Sequence, residues 1–563
     1  MTEENAQLSR PAPVPPAPGT PVARRPSRLS PWSVGAVVIG VLVVAPLAAI
    51  LWMALTPADN VWPHLVATVL PRYLSNSVIL AGFVALIAAM VGTGSAWYLA
   101  MYRFPGSRWL EWLLLFPLAI PAYVGAYALV DFLEYSGPVQ TGLRGLFGWE
   151  SARDYWFPEI RSRWAAIVVL AAALNPYVYL IARAAFREQS GGIYEVARAL
   201  GAGPFARFWR VGLPLARPAI AAGTAIVMME TVADFGVVEF FAVQTLTTGI
   251  FTTWLELGNA GGAAQIALVI LGLVLLLVGL EKASRSRSRF YRSARHSRPV
   301  ETIRLTGWPA WLATLLCTLP FAVGFVLPVA VIGWHAVVNW EGWLAPGLVL
   351  ALRNTLVVGG AAAVVTVAAA LFLSYGVKLT ASQLPKRIVP VTTLGYATPG
   401  AVLGVGILIP LAATDNAVAD TIWSLTGWDP GLILTGTAFA VIYAYVVRFF
   451  AIAQGAVESA LDRVPPSLPL AARSLGRTAG GALRAVYVPL IKGSVGTALL
   501  LVFVDSVKEL PATLLLRPFN YNTLATRVYE KASLEQIGQA APAAMLVIAV
   551  GLLAVALAAR TSK

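Results

Sequence analysis

The chain has 563 residues, of which 58% are hydrophobic and only 12% charged, with a formal net charge of +14. That composition excludes an ordinary soluble domain, and the single cysteine, Cys317, excludes an intramolecular disulfide. The positive charge does not point to nucleic acid, because the basic residues cluster in short segments between long apolar runs.

Residues 1–31 are polar and proline-rich and read as a flexible cytoplasmic tail. The first apolar run, Trp32–Leu55, is long enough to span a bilayer and reads as a retained anchor. Val78–Ala100, Ala263–Leu280 and Pro542–Ala559 are further examples. These runs lack strand-like alternation, and in hydrocarbon every backbone polar group must be paired, so helices are expected. The fold class is therefore an all-α integral membrane protein with about twelve transmembrane helices. Their centres fall near Val43, Leu86, Pro121, Leu174, Ile226, Leu271, Phe325, Val364, Val402, Val441, Leu500 and Ile548. Tryptophans near span ends, such as Trp32, Trp52, Trp308 and Trp334, fit an interfacial belt.

Arg24, Arg25 and Arg28 precede the first span, and Arg103 and Arg108 follow the second. A basic run from Ser284 follows the sixth, and Lys378, Lys386 and Arg387 follow the eighth. Positive loops stay on the cytoplasmic side, so these groups agree on one topology with both termini in the cytoplasm. Residues 283–307 then read as a basic cytoplasmic linker between a first domain, 32–282, and a second, 308–563.

The two domains repeat one another. Asn76 in LSNSVILAG matches Asn354 in LRNTLVVGG, and Pro121 in LAIPAYVGA matches Pro399 in YATPGAVLG, each 278 positions on. At an offset of 275, YEVARALGAGPFARFWRVGLPL from Tyr194 matches a segment around PLAARSLGRTAGGALRAVYVPL. Ala197, Arg198, Gly201 and Pro214 there meet Ala472, Arg473, Gly476 and Pro489. With six spans per copy, the repeats are tandem and parallel. Within the first copy, Gly201 is suited to end one short helix in the left-handed conformation, and Pro204 to open a second. Arg207 and Arg210 share a face of that second helix, and Pro214 marks where the chain rejoins the membrane. The expected object is a basic elbow that docks into a groove on a soluble partner; the alternative is a loop whose arginines meet lipid phosphates.

The repeated segment resembles the EAA loop of ABC importer permeases. Its first copy is Glu195-Val196-Ala197…Gly201…Leu213-Pro214 and its second Leu470-Ala471-Ala472…Gly476…Val488-Pro489, which departs from the pattern at Leu470. The resemblance implies a type I ABC importer permease fold in the bacterial cytoplasmic (inner) membrane. It also implies that the two elbows couple to two copies of a cytoplasmic ABC ATPase subunit. The chain has no G-x-x-x-x-G-K-[ST] sequence, so ATP and Mg are expected on those subunits, with no cofactor or catalytic group in this chain. A periplasmic or lipid-tethered substrate-binding protein is the third implied partner, alongside membrane lipid.

After each elbow comes a span carrying carboxylates. At an offset of 275, Glu230 meets Asp505, Asp234 meets Glu509 and Thr248 meets Thr523. Each pair of acids, four residues apart, is expected on one helix face toward the outer part of a span. Glu239 is a further candidate. Ionisable groups in a membrane tend to face a bundle interior or a watery path. The acids either line a pathway for a cation or are interfacial or paired, with Lys508 as a nearby partner; metal ligation stays open. ADFGVVEFF followed by TLTTGI, and KELPATLLLRPFN followed by TLATRVYE, resemble the two-domain permeases of ferric-iron ABC importers, which implies Fe3+ as substrate. Relatives that import thiamine, phosphonates or polyamines share the elbow. His64, His296 and His335 are too scattered to suggest a metal site. A gradient-driven secondary transporter leaves the matched elbows unexplained, and an integral membrane enzyme lacks a clustered catalytic constellation.

Overall fold

The computed structural model describes residues 31–286, 301–379, 383–393, 395 and 398–561. The expected tail up to residue 30, with Arg24, Arg25 and Arg28, and linker residues 287–300, with His296, lie outside the described residues.

The first half contains α1 (Pro31–Leu55), α2 (Leu70–Met101), α3 (Ala122–Leu133), α4 (Arg163–Arg187), α5 (Gly191–Ala199), α6 (Leu213–Ala233), α7 (Gly236–Phe240), α8 (Leu246–Phe251) and α9 (Ala260–Ser286). The second contains α10 (Trp308–Phe321), α11 (Leu327–Val338), α12 (Leu348–Leu379), α13 (Gly400–Thr426) and α14 (Phe439–Asp462). It continues through α15 (Ser467–Ser474), α16 (Val488–Val507), α17 (Pro511–Leu516), α18 (Leu524–Ser533) and α19 (Ile537–Thr561). Among the described residues, 11 helical stretches are long and apolar enough to cross a membrane. A bent pair, Ser107–Ala119 with Ala122–Phe147, turns through 94° and brings the number to 12 where it is counted as one span.

The spans expected around Pro121 and Val402 are not centred there. The chain breaks before Pro121 and Pro399, and each proline is the residue from which the next helix starts. Proline has no N–H to continue a helix and drives the residue before it into extended backbone, as at Ile120 (φ −100°, ψ 126°). One element departs from the all-α expectation. Tyr102–Arg103 (β1) pairs in parallel with Ile303–Arg304 (β2), tying the end of the expected linker to the chain leaving α2.

The halves interleave. α1 packs on α9 of its own half but also on α12 and α13 of the second; reciprocally, α11 packs on α19 and on α3 of the first. One core joins Ala36, Val43 and Ile50 to Val402 and Tyr445, and another joins Val124 and Val169 to Ile332 and Val547. The opposite face of α1 is bare: Val41 is 61% exposed and Trp52 70%, as expected for a lipid-facing surface. Gly40 lets α1 approach closely, since a Cβ there would come within 2.8 Å of Ile388.

The repeat is visible in individual hydrogen bonds. Asn76 Nδ2 donates to the Gln244 carbonyl at 2.8 Å, and Asn354 Nδ2 to the Asn522 carbonyl at 2.9 Å. Next to them, Leu246 N donates to Ser77 Oγ at 3.0 Å and Leu524 N to Thr355 Oγ1 at 2.8 Å. Both sets are related by 278 positions. This corrects one expected pairing. Thr245 and Thr248 form the capping box that starts α8, as Thr523 and Thr526 do for α18, so Thr523 is the counterpart of Thr245, not of Thr248. The offset returns from 275 to 278 because the second copy is longer between Glu509 and Thr523.

Candidate functional site

Two regions carry the expected functional residues. The first is the pair of elbows. α5 ends with Gly201 N donating to the Arg198 carbonyl at 3.0 Å and Ala202 N to the Ala197 carbonyl at 2.9 Å. α15 ends identically, with Gly476 N to Arg473 and Arg477 N to Ala472, each at 3.1 Å. These paired bonds close a helix on a left-handed residue, and Gly201 and Gly476 have φ of +82° and +83°.

The second arm differs from expectation. It is not a separate short helix: the helical run starting at Pro204 continues to Ala233, and that from Ala479 to Val507. Pro214 and Pro489 lie inside these runs, each just after a π-helical turn, Phe208–Gly212 or Leu483–Tyr487. The missing proline N–H is absorbed by that wider turn, so the elbow is continuous with its span.

On its inner side the first elbow is held by Trp97, whose ring lies 5.8 Å from Tyr194 and 5.2 Å from Phe208. Burial pushes the Tyr194 hydroxyl above its ordinary pKa, and the hydroxyl donates to Gln189 Oε1. In the second half Tyr375 packs on Tyr487 at 5.3 Å. Tyr487 stands where the first half has Gly212, so a large–small contact is replaced by two mid-sized rings. The outward side presents Glu195, Arg198 and Arg210, with Ala197 and Arg207 half-buried; the second presents Arg473, with Ala472 half-buried. Leu200 and Leu475 are 81% and 85% exposed, and Leu470 stands exposed where the first copy has Glu195.

The second region is a cavity of about 140 Å³ between the halves. Glu230 and Asp234 reach it from the end of α6, Asp505, Lys508 and Glu509 from the end of α16, and Arg448 from α14. Tyr123 and Tyr177 also line it. The expectation that each acid pair shares one helix face is corrected. α6 ends at Ala233 and α16 at Val507, so Asp234 and Glu509 lie beyond the helices that carry Glu230 and Asp505. They cap the short helices that follow: Val237 N donates to Asp234 Oδ1 at 2.9 Å, and Ala512 N to Glu509 Oε1 at 3.0 Å. The cavity is also deeper than the outer part of a span, because Leu170–Tyr177 lies in the middle of α4. Glu239 is exposed on α7 and does not join the cluster.

The acids are paired as well as cavity-lining. Lys508 Nζ lies 2.7 Å from Asp505 Oδ1, and Arg448 Nη1 donates to Glu509 Oε1 at 3.3 Å. Among the described residues, no three His, Cys, Asp or Glu side chains come together as a metal-holding group. His64 is exposed, and His335 Nε2 lies 2.8 Å from Asp131 Oδ2 across the halves. Arg448 is the residue that sequence reasoning passed over. The signal was present: a lone arginine in an apolar run is a functional candidate by its cost in lipid.

The family model for binding-protein-dependent transport system inner membrane components matches residues 88–290. Over both halves, the chain is 26% identical to the Fe(3+)-transport system permease protein FbpB 2 of Haemophilus influenzae, covering 84% of this chain and 87% of that protein. It is also 26% identical to the putative ferric transport system permease protein FbpB 1 of the same organism, covering 86% of this chain and 77% of that one. The sulfate transport system permease protein CysT of Escherichia coli matches at 30% identity over 38% of this chain and 76% of its own length.

Proposed function

Because the chain belongs to the family of binding-protein-dependent transport system inner membrane components, we propose that it is the permease of a ferric-iron importer, with the cavity between its halves on the translocation path. It is a multi-pass inner-membrane ABC permease that works with an ATPase and a substrate-binding protein. The observation that carries the iron assignment is the reach of the match. Relatives named for ferric transport align across both halves, whereas the sulfate relative aligns over 38% of the chain. Four carboxylates at the half interface suit a cationic cargo.

In this reading the outward residues of the two elbows, among them Glu195, Arg198, Arg210 and Arg473, each seat in one of two copies of a cytoplasmic ATPase subunit, which bind ATP and Mg. Closure of the ATPase pair pulls on α5 and α15, and the continuous helices from Pro204 and Ala479 carry the movement to Glu230, Asp234, Asp505 and Glu509. Both termini face the cytoplasm, a periplasmic or lipid-tethered binding protein delivers substrate to the outer face, and membrane lipid covers the bare side of α1.

The test is uptake of labelled Fe3+ into proteoliposomes holding the assembled complex, with the binding protein supplied. ATP-dependent accumulation is expected. No iron uptake, with thiamine, a phosphonate or a polyamine transported instead, overturns the assignment. Transport that survives ATP depletion favours a secondary transporter.

A further inference from the structure

The cavity is built asymmetrically from a symmetric repeat. Its four carboxylates come two from each half, but both of its cations come from the second. α4 and α14 end at Arg187 and Asp462, which places Ala173 opposite Arg448; the same offset places Ala233 opposite Lys508. Ala173 and Ala233 line the same cavity. The first half therefore offers methyl groups where the second offers a guanidinium and an ammonium.

These cations are positioned against particular acids. The Arg448 and Glu509 side chains are 12% and 5% exposed, and Lys508 and Asp505 form an i,i+3 pair at the end of α16. Gly400, the first residue of α13, lies directly against the Arg448–Glu509 pair, and a Cβ at that position would overlap both groups. The helix that begins after the Pro399 break is kept bare where it meets the ion pair. With the two cations standing among them, four carboxylates around one small cavity do not form a metal-holding group among the described residues.

We propose that Arg448 and Lys508 are tethered counter-ions of the translocation path, holding the carboxylate cluster closed until an arriving multivalent cation displaces them. The inference rests on the reading that the cavity lies on the path, and it supplies that path's regulation. Removing one partner of a buried pair leaves the other charge uncompensated, so the closed state depends on both cations. A multivalent cation attracts each carboxylate more strongly than a single positive side chain does. Once it moves on, the tethered groups return at high effective concentration, so the acids cannot retain the cargo.

The test uses the complete complex with its ATPase in calcein-loaded proteoliposomes, with Co2+ outside as the probe and no ATP. Arg448→Gln is expected to raise Co2+ influx by at least about tenfold, equivalent to a shift of about 1.4 kcal/mol between closed and open states. Arg448→Gln combined with Glu509→Gln, which also removes the stranded carboxylate, is expected to bring influx back toward the native rate. Lys508→Gln, alone and with Asp505→Asn, gives an independent second pair and decides the matter if the arginine variant does not assemble. A merely structural role makes each double variant at least as leaky as its parent, and that result overturns the proposal, as does unchanged influx in the single variants. Because the probe is Co2+, the outcome is separable from the iron assignment: a native complex that fails to take up Fe3+ but shows the expected Co2+ pattern sinks the assignment and upholds the counter-ions.

Discussion

At the scale of single residues, Gly400 is the sharpest case of sequence serving a site. Its φ requires no glycine; the space does, because a side chain would occupy the position of the Glu509 and Arg448 head groups. Gly400→Ala is expected to destabilise the protein by about 1–3 kcal/mol, the usual range for overpacking, and to reduce transport more than stability alone explains. Thermal unfolding of the detergent-purified complex beside an uptake assay checks both parts. Gly82→Ala is the matched control, since nothing lies within 4 Å of a Cβ there, and it is expected to be neutral or slightly stabilising. A Gly400→Ala complex that unfolds and transports like Gly82→Ala would show that the ion pair has room to move aside.

At the scale of elements, the elbow depends on a left-handed glycine in a way that can be tested twice. At neither Gly201 nor Gly476 would an added Cβ find a neighbour within 4 Å, so the penalty of a bulky residue there is conformational, not steric. Gly201→Val or Gly476→Val is expected to cost about 1–2 kcal/mol locally, straightening the turn between α5 or α15 and the helical run that follows. ATP hydrolysis should then persist while uptake falls, with the protein still inserted in the membrane; normal uptake in both variants counts against the elbow as coupler. The asparagine clamp gives a companion prediction. Asn76→Ala and Asn354→Ala each remove the hydrogen bond to the loop before α8 or α18, worth about 0.6–2 kcal/mol, and Asn76→Ala also removes the acceptor of the Arg163 Nη1 bond at 3.1 Å. Asn76→Ala is therefore expected to lower thermal stability more than Asn354→Ala, and equal losses would mean that the Arg163 contact adds nothing to the first clamp.

Much at this scale was legible from spacing. The glycine conformation and the helix starting at Pro204 follow from local backbone chemistry, and the correspondence of Asn76 with Asn354 from the repeat at 278 positions. The continuity of the second arm was not, because a proline reads as a helix boundary unless a neighbouring π turn relieves it. Nor was the ending of α6 before Asp234, since a spacing of four suggests one helix face until a short polar side chain caps the next helix instead. The apolar third span hid its break for a related reason: hydropathy registers Pro121 as one residue in a hydrophobic run, whereas the backbone registers it as a lost donor.

At the scale of the whole molecule, the division into residues 32–282 and 308–563 describes the sequence repeat but not two separable bodies. The first helix of each half lies on the other half. Ala36, Val43 and Ile50 of α1 are buried in a core that includes Val402 and Tyr445, and Ile332 of α11 is buried with Val124 and Val169. Arg161 also joins Glu134 of its own half, at 3.0 Å, to Glu535 of the other, at 2.8 Å. A half expressed alone would present these faces to lipid, losing packing that helix association in a membrane depends on, since lipid chains are as apolar as the missing partner. A chain cut between Ser286 and Glu301 and co-expressed as two differently tagged pieces should therefore assemble. Pulling on either tag is expected to bring down both pieces in equal amounts and, with the ATPase present, to recover transport. Either piece expressed alone should be poorly stable in detergent. The β1–β2 pairing adds only two residues per strand, so replacing Ile303 and Arg304 by Gly-Ser in the split protein should leave assembly intact. If the pieces instead purify as separate, stable monomers, the interleaved cores are not what unites the halves, and an intact connection would be required to hold the cavity's two sides together.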